Sequence, residues 1–463
     1  MSSNRKIIHA LIVISALFLS VVIYLTYFQL FKAEGLATSA ENPRTVIKEQ
    51  KIKRGTIYSA DGQRLAYSEM GENTQKRIYP FNNMYSHVIG YNNQTYGRSM
   101  LEYTYNGFIM GSAFSNEIYN LRQRLMGSDV QGADLMLTID HGLQNKAYEL
   151  LGNRKGSIVA LNPKTGATLA LVSKPDYNPN EDALKQNWQK ILESEDSRLL
   201  ARATLGLYPP GSVFKTITAV SAIENGLENE TYDDEGSTII GNYKFENYDG
   251  KAFGKLDLLR SFSKSSNVVF VTLADKLGFY KMRNTMERFM INKDIAYDLN
   301  LQKATGLSND SVTNVAAVGM GQGDLSVTPM NMALVASAIA NDGIMMSPYL
   351  VERANLSNGY SVYQHENSVL SKVTDETITN KIEEMMIEVI KSGTGTGARV
   401  SGITIAGKTG TAENSGKDHA WFIAYAPAED PKIVVSVVIE NSGQTGGAAC
   451  APIISGLMRY WCK

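Results

Sequence analysis

From Ile7 to Phe28 the chain reads IIHALIVISALFLSVVIYLTYF, an apolar run free of Lys, Arg, Asp and Glu. Roughly 20 such residues are what a helix needs to cross a bilayer. Arg5 and Lys6 precede it, which favours a cytoplasmic N-terminus. A cleaved signal peptide would have an apolar core of about 7–15 residues followed closely by small residues. Here bulky Gln29-Leu30-Phe31 comes next, and the small cluster near Ala37 comes late. The run therefore predicts a retained anchor, single-pass, with residues 1–31 as cytoplasmic tail plus membrane helix. Everything beyond it is expected outside the cytoplasm, where no ATP pool exists. His9, near the start of the run, reads as an interfacial residue rather than a ligand.

Composition narrows the remainder. The chain has 463 residues, enough for two or three domains. Hydrophobic residues make up 43% and charged ones 20%, which is globular chemistry rather than disorder. A net charge of -1 offers no basic field for nucleic acid. The five His are scattered and there is no CxxC, so neither a metal site nor a cofactor is expected. The two cysteines, Cys450 and Cys462, flank a segment that reads as a helix. At about 1.5 Å per residue its ends lie beyond the roughly 7 Å Cα limit for a disulfide, so two unpaired thiols are expected.

Residues 32–138 are polar and aromatic, with Arg54-Gly55-Thr56-Ile57-Tyr58 leading to an Asp61-Gly62 turn. They hold no complete reactive constellation and read as a non-catalytic pedestal. The texture changes at Leu137–Asp140. From residue 139 to 463 a catalytic domain is expected. Its elements are a helix at His141–Leu151, strands at Ile158–Leu161 and Thr168–Val172, and a surface loop at Asp176–Asn187. Further strands are expected at Gly402–Ala406, Ala420–Ala426 and Ile433–Glu440, with helical periodicity from Tyr208 onward between the two sets. Strands at both ends with helices between make an α+β layer, against which the terminal helix packs.

The most informative stretch is Tyr208-Pro209-Pro210-Gly211-Ser212-Val213-Phe214-Lys215. Two prolines and a glycine break any preceding element. Val213, Phe214, Ile217, Val220, Ile223 and Leu227 then recur at helical spacing to Asn225-Gly226. Ser212 is thus placed at the start of a buried helix, with Lys215 one turn on and on the same face. A serine hydroxyl needs a base to become a nucleophile. A lysine can be that base only when neutral, which costs about 4.6 kcal/mol at pH 7 for an unperturbed amine. Burial and a second cation both reduce that cost, and Lys408 can be the second cation.

S-x-x-K alone is weak, since it also occurs at Ser3–Lys6 and Ser261–Lys264. Ser265-Ser266-Asn267 can supply a proton-relaying hydroxyl and an amide that holds a carbonyl or a lysine; taken alone, it reads better as a helix cap. Lys-Thr-Gly occurs at Lys164–Gly166, in a strand-to-strand turn, and again at Lys408–Gly410. In a strand, the backbone and hydroxyls of Lys408-Thr409-Gly410-Thr411 can pair with an extended peptide, and Lys408 can attract a carboxylate.

That last segment has a competing interpretation. Gly402, Gly407, Lys408 and Thr409 fit G-x-x-x-x-G-K-[ST], a phosphate loop. Such a loop needs a flexible turn and then a helix facing phosphate. Here the four intervening residues, Ile-Thr-Ile-Ala, read as strand, and the residues after Thr409 read as a turn. The nucleotide reading fails.

In this order and spacing, the motifs at Ser212, Ser265 and Lys408 resemble those of the penicillin-binding proteins. LTIDHGLQNKA, GSIVALNPKTGATLALVS, YPPGSVFKT, GMGQGDLSVTPMNMA and AGKTGTAEN look like the class B branch, and RGTIYSADGQRLA and GRSMLEYTYNG resemble its N-terminal region. The resemblance implies a transpeptidase domain with a central antiparallel sheet flanked by helices plus an all-helical subdomain, after an extended pedestal and one transmembrane helix. It implies a D,D-transpeptidase in which Ser212 attacks the penultimate D-alanine carbonyl of a peptidoglycan stem peptide. Lys215 would be the general base, with Ser265 and Asn267 in the proton relay beside Lys408. The amides of Ser212 and Thr411 would form the oxyanion hole, and the Thr409 and Thr411 hydroxyls on either side of Gly410 would hold the substrate or β-lactam carboxylate. β-Lactams would acylate Ser212 and stay. A polytopic glycosyltransferase of the SEDS type is the implied membrane partner. The alternatives left open are a D,D-carboxypeptidase and a catalytically idle scaffold that recruits cell-wall synthases. A β-lactamase would lack the anchor, and a β-lactam sensor would have several spans.

Overall fold

The computed structural model of the chain describes residues 2–31, 52–71, 75–113, 116 and 131–462; the small cluster near Ala37 and part of the expected pedestal lie outside them. Ser2–Phe31 is one helix, and Lys6–Phe28 within it is long and apolar enough to cross a membrane. Ile7, Leu17 and Phe18 on it are more than half exposed. A helix that is apolar all round is matched by lipid, which accommodates apolar surface on every side.

The part of the chain beyond residue 138 is built on a five-stranded antiparallel sheet in the order Ala406–Ala412, His419–Ala426, Ile433–Ile439, Gly156–Leu161, Thr168–Lys174. Ile433–Ile439 reads IVVSVVI and is buried throughout. A β-branched run interrupted only by Ser436 suits a strand covered on both faces. The helices Pro329–Ile339, His141–Leu151 and Ala451–Trp461 pack against the sheet. The sheet is split in sequence, and the helices Lys215–Glu224, Leu258–Lys264, Asn267–Arg288 and Val312–Gly319 lie between its two parts. Two short ribbons, Tyr232–Asp234 with Gly254–Leu256 and Ser237–Ile240 with Tyr243–Glu246, lie among them. Cys450 is buried, Cys462 is half-buried, and both are free.

A second sheet runs Ser361–Gln364, Val351–Asn355, Asp134–Leu137, Ile57–Tyr58, Arg64–Met70, Gln75–Ile78. Residues 351–364 thus complete a sheet begun by the segment before residue 138. Its keystone is Glu102, fully buried between Arg54 Nη2 at 2.6 Å and Arg77 Nε at 2.7 Å. Burial by itself would raise the Glu102 carboxyl, but the two guanidiniums outweigh it and hold the group at about 2. A carboxyl depressed on folding stabilises the fold above its unfolded pKa, and that contribution disappears as pH falls through the folded value. Glu102→Gln leaves two buried cations without a counter-charge, which typically costs about 3–5 kcal/mol. The expected result is a large fall in melting temperature at pH 7 that narrows as pH drops towards 2.

Two expected elements are corrected. Asp176–Asn187 is not simply loop: Glu181–Leu192 is a helix. Its charged surface hides a stripe at i, i+4 and i+7, in which Leu184 and Ile191 are buried and Trp188 stacks on Tyr96 at 4.3 Å. The strand placed at Gly402–Ala406 instead runs from Ala406 to Ala412. Its partner strand ends at Ala426, before Pro427, and Tyr425 already pairs with Ala406, so residues 402–405 have no strand to join.

Candidate active site

The Tyr208–Lys215 stretch is fixed from several sides before any side chain reaches the site. Tyr208 exchanges both backbone hydrogen bonds with Val327, at 3.0 and 2.9 Å, and the Gly211 amide donates to Gly321 O at 2.9 Å. Trp421 Nε1 donates to Pro209 O at 3.0 Å. The Tyr208 hydroxyl donates to Glu440 at 2.5 Å, a carboxylate also held by Arg202 Nε at 2.7 Å. So GMGQGDLSVTP, whose purpose the sequence did not reveal, contributes the backbone that clamps the serine turn.

Gly211–Phe214 is a 3-10 turn leading directly into the Lys215–Glu224 helix. Ser212 lies half-buried on that turn, and among the described residues its hydroxyl has no hydrogen-bond partner. Gly211 has φ 56°, and a Cβ there would sit 2.4 Å from Thr411 O. The turn is therefore pressed against Ala406–Ala412, the terminal strand of the sheet. Gly211→Ala forces both a left-handed alanine, costing roughly 1–2 kcal/mol, and a collision with that strand. Acylation of Gly211→Ala by a fluorescent penicillin is expected to be at least about tenfold slower than wild type, with a melting curve recorded alongside to account for lost fold.

Lys215 is wholly buried. Its Nζ donates to Asn267 Oδ1 at 2.7 Å, Ser265 O at 2.8 Å and Ser265 Oγ at 3.3 Å. Lys408, also wholly buried, reaches the same hydroxyl from the sheet: its Nζ donates to Ser265 Oγ at 2.9 Å. Residues 215, 265, 267 and 408 thus form one hydrogen-bonded cluster. Ser212 joins it through the chain, three residues ahead of Lys215, and through the contact of its turn with Thr411.

Local structure explains Ser265. It closes the Leu258–Lys264 helix in the left-handed region, φ 61°, while Ser266 caps the next helix by accepting from Val269 N. Both helix capping and the clustered chemistry are therefore present in the one tripeptide. The duplicate motifs fall elsewhere. Ser261 bonds back to Asp257 O with Lys264 exposed, and exposed Lys164 pairs with Asp430.

Burial pulls the Lys408 ammonium down to about 7. Burial, and then the neighbouring Lys408, pull Lys215 well below the ordinary lysine value, against the opposing attraction of Asp234. Two ammonium groups meeting at one hydroxyl repel, so the pair sheds a proton more readily than an isolated lysine does. Phe270 and Phe262 form apolar walls, their ring centroids 5.4 and 5.3 Å from the two amines.

Alternation along a strand puts neighbours on opposite faces. Lys408 therefore points to Ser265, whereas the Thr409 hydroxyl meets that of Thr394 at 2.5 Å; Thr411, two residues on, shares the Thr409 face. Thr394 was not foreseen, and neither were Asp234 and Asn247, which lie behind the middle motif. A threonine in a glycine-rich loop and an aspartate in TYDDEGS read as solvated surface, so no local signal marked them.

The described cluster can be set beside known proteins. The penicillin binding protein transpeptidase domain model matches residues 156–459, and the penicillin binding protein A dimerisation domain model matches 54–135. The peptidoglycan D,D-transpeptidase PbpA of Mycolicibacterium smegmatis is 34% identical, over 98% of this chain and 97% of that protein. The ceftriaxone acyl-enzyme structure of penicillin-binding protein A from M. tuberculosis superposes with a TM-score of 0.86 at 30% identity, covering 90% of this chain and 100% of that one. The imipenem acyl-enzyme of the same protein gives 0.85 at 30% identity, with 90% and 100% covered.

Proposed function

Because the chain belongs to the penicillin-binding protein transpeptidase family, we infer that it is a serine-type peptidoglycan D,D-transpeptidase, acylated by β-lactams. The reading rests chiefly on the convergence of Lys215 and Lys408 on Ser265 Oγ, beside the Ser212 turn. Ser212 Oγ attacks the penultimate D-alanine carbonyl of a stem peptide, and its proton passes to the neutral Lys215 amine. The amides of Ser212 and Thr411 receive the developing oxyanion; one such donor is worth roughly 3 kcal/mol. The C–N bond breaks as the proton travels through Ser265 to the departing D-alanine amine. Asn267 holds Lys215 in place during this transfer. A neighbouring stem's amine then attacks the acyl-enzyme, the cross-link forms, and Ser212 regains its proton. Lys408 disfavours charge on Lys215 and, with Thr409 and Thr411 flanking Gly410, draws in the substrate or β-lactam carboxylate.

The chain is a membrane protein. We place residues 1–31 as cytoplasmic tail and anchor, 32–138 as a non-catalytic pedestal and 139–463 as the transpeptidase domain outside the cytoplasm, alongside a SEDS-type glycosyltransferase in the membrane. The deciding assay supplies the full chain, in detergent or vesicles, with a lipid-linked precursor and a candidate SEDS partner. Cross-linked muropeptides support the reading. Release of D-alanine with no cross-links would make it a carboxypeptidase, and neither product nor covalent penicillin label would leave only the scaffold.

A further inference from the structure

Behind Ser265-Ser266-Asn267 lies a carboxylate that the chemistry above does not use. Asp234, fully buried, ends the Tyr232–Asp234 strand. Its Oδ2 accepts from Ser266 Oγ at 2.5 Å, and its Oδ1 from Asn247 Nδ2 at 2.7 Å and Gly236 N at 2.9 Å. Asn247, 5% exposed, turns its other end to the next helix: its Oδ1 accepts from Asn267 N at 2.7 Å and Val268 N at 3.1 Å. Asn267 in turn donates to Glu246 O at 2.8 Å and accepts from Lys215. A continuous path of hydrogen bonds therefore runs from Asp234 through Asn247 and Asn267 to the Lys215 amine, with Ser266 as a parallel arm beside Ser265.

Resting on the transpeptidase reading, we propose that Asp234 is a positioning residue for acyl transfer: through Ser266 and Asn247 it fixes the turn that presents Ser265 and Asn267 to Lys215. A buried carboxylate is costly unless it is hydrogen-bonded, and among the described residues it has no ion-pair partner. Three donors satisfy it, and two of them belong to, or directly hold, the middle motif. Removing it leaves those donors unpaired and lets the turn drift, and a misplacement of about 1 Å can cost a hundredfold in rate. The carboxylate also acts on charge. The charges acting on Lys215 are Lys408, from the edge strand, and Asp234, from the ribbon, with opposite effects. Asp234 favours the protonated amine, so its loss makes Lys215 give up its proton at lower pH.

The test is Asp234→Asn in the full chain, with the second-order rate of acylation by a fluorescent penicillin followed from pH 5 to 9 and a melting curve recorded in parallel. Asparagine keeps the shape and removes the charge. The maximal rate is expected to fall about tenfold to a hundredfold, and the acidic limb of the profile is expected to move to lower pH. A role in folding alone would leave that limb where it is. Asn247→Ala, which breaks the path and keeps the carboxylate, is expected to lower the rate by a similar factor. A folded Asp234→Asn chain with the wild-type rate and profile overturns the inference. Should that chain not fold, Asn247→Ala acylating at the wild-type rate overturns it instead. Either result, with the wild-type chain labelled at Ser212, leaves the transpeptidase reading standing; absence of wild-type labelling would remove that reading itself.

Discussion

Ser212→Ala is expected to abolish covalent labelling by penicillin and to reduce cross-linking by about 10^4-fold or more. Removing a serine nucleophile removes the covalent path altogether, and what remains comes from substrate binding and oxyanion stabilisation. The change is local: the half-buried hydroxyl has no hydrogen-bond partner among the described residues, so alanine leaves no buried donor unsatisfied. Melting temperature should therefore hardly move. Intact-mass spectrometry after incubation with penicillin reads the result directly, as one drug adduct on the wild type and none on the variant. An adduct on Ser212→Ala would place the nucleophile elsewhere, and Ser261 and Ser265 would then need the same substitution.

Lys215→Gln is the second large effect. A positioned base contributes about 10^2–10^4 in rate, and this one also orders the cluster by donating to Asn267 and Ser265. Glutamine can keep one donor but cannot take a proton. Penicillin acylation at neutral pH is expected to fall about a thousandfold, and the acidic limb of the pH profile, which reports loss of the Lys215 proton, is expected to vanish. The sign comes from the amine: burial, then Lys408, depress it well below the ordinary lysine value, so the wild-type rate climbs with pH as that proton leaves. A second substitution at Lys408 should cost less in Lys215→Gln than it does alone, because its effect on the charge of Lys215 is already gone and only its pull on the carboxylate remains to be lost. Stopped-flow acylation of both singles and the double variant measures this. Full additivity would mean the lysines work independently.

Both lysine effects depend on a meeting that is only partly legible in the chain. That Ser212 stands one turn ahead of Lys215 was legible from their spacing, and the proline-glycine lead-in marks where that turn begins. The five-stranded sheet was largely legible for a similar reason: alternating or β-branched runs such as IVVSVVI state their own structure. The Glu181–Leu192 helix escaped because charged and amide side chains outnumber its stripe of Leu184, Trp188 and Ile191. The Lys408 strand was displaced by four residues because pairing, set by where His419–Ala426 ends, decides register, and apolar alternation does not.

By itself the sequence determined the elements whose cause is local: an apolar helix long enough for a bilayer, the serine turn, the helix that carries Lys215, and the order of three motifs. Tertiary structure alone decided that two lysines far apart in the chain meet at one hydroxyl, that Gly321 and Trp421 clamp the serine turn, and that Asp234 is buried behind the middle motif. The reason is physical. A lysine's proton affinity depends on what surrounds it, and burial and neighbouring charge are properties of a packed interior that no short stretch of chain possesses.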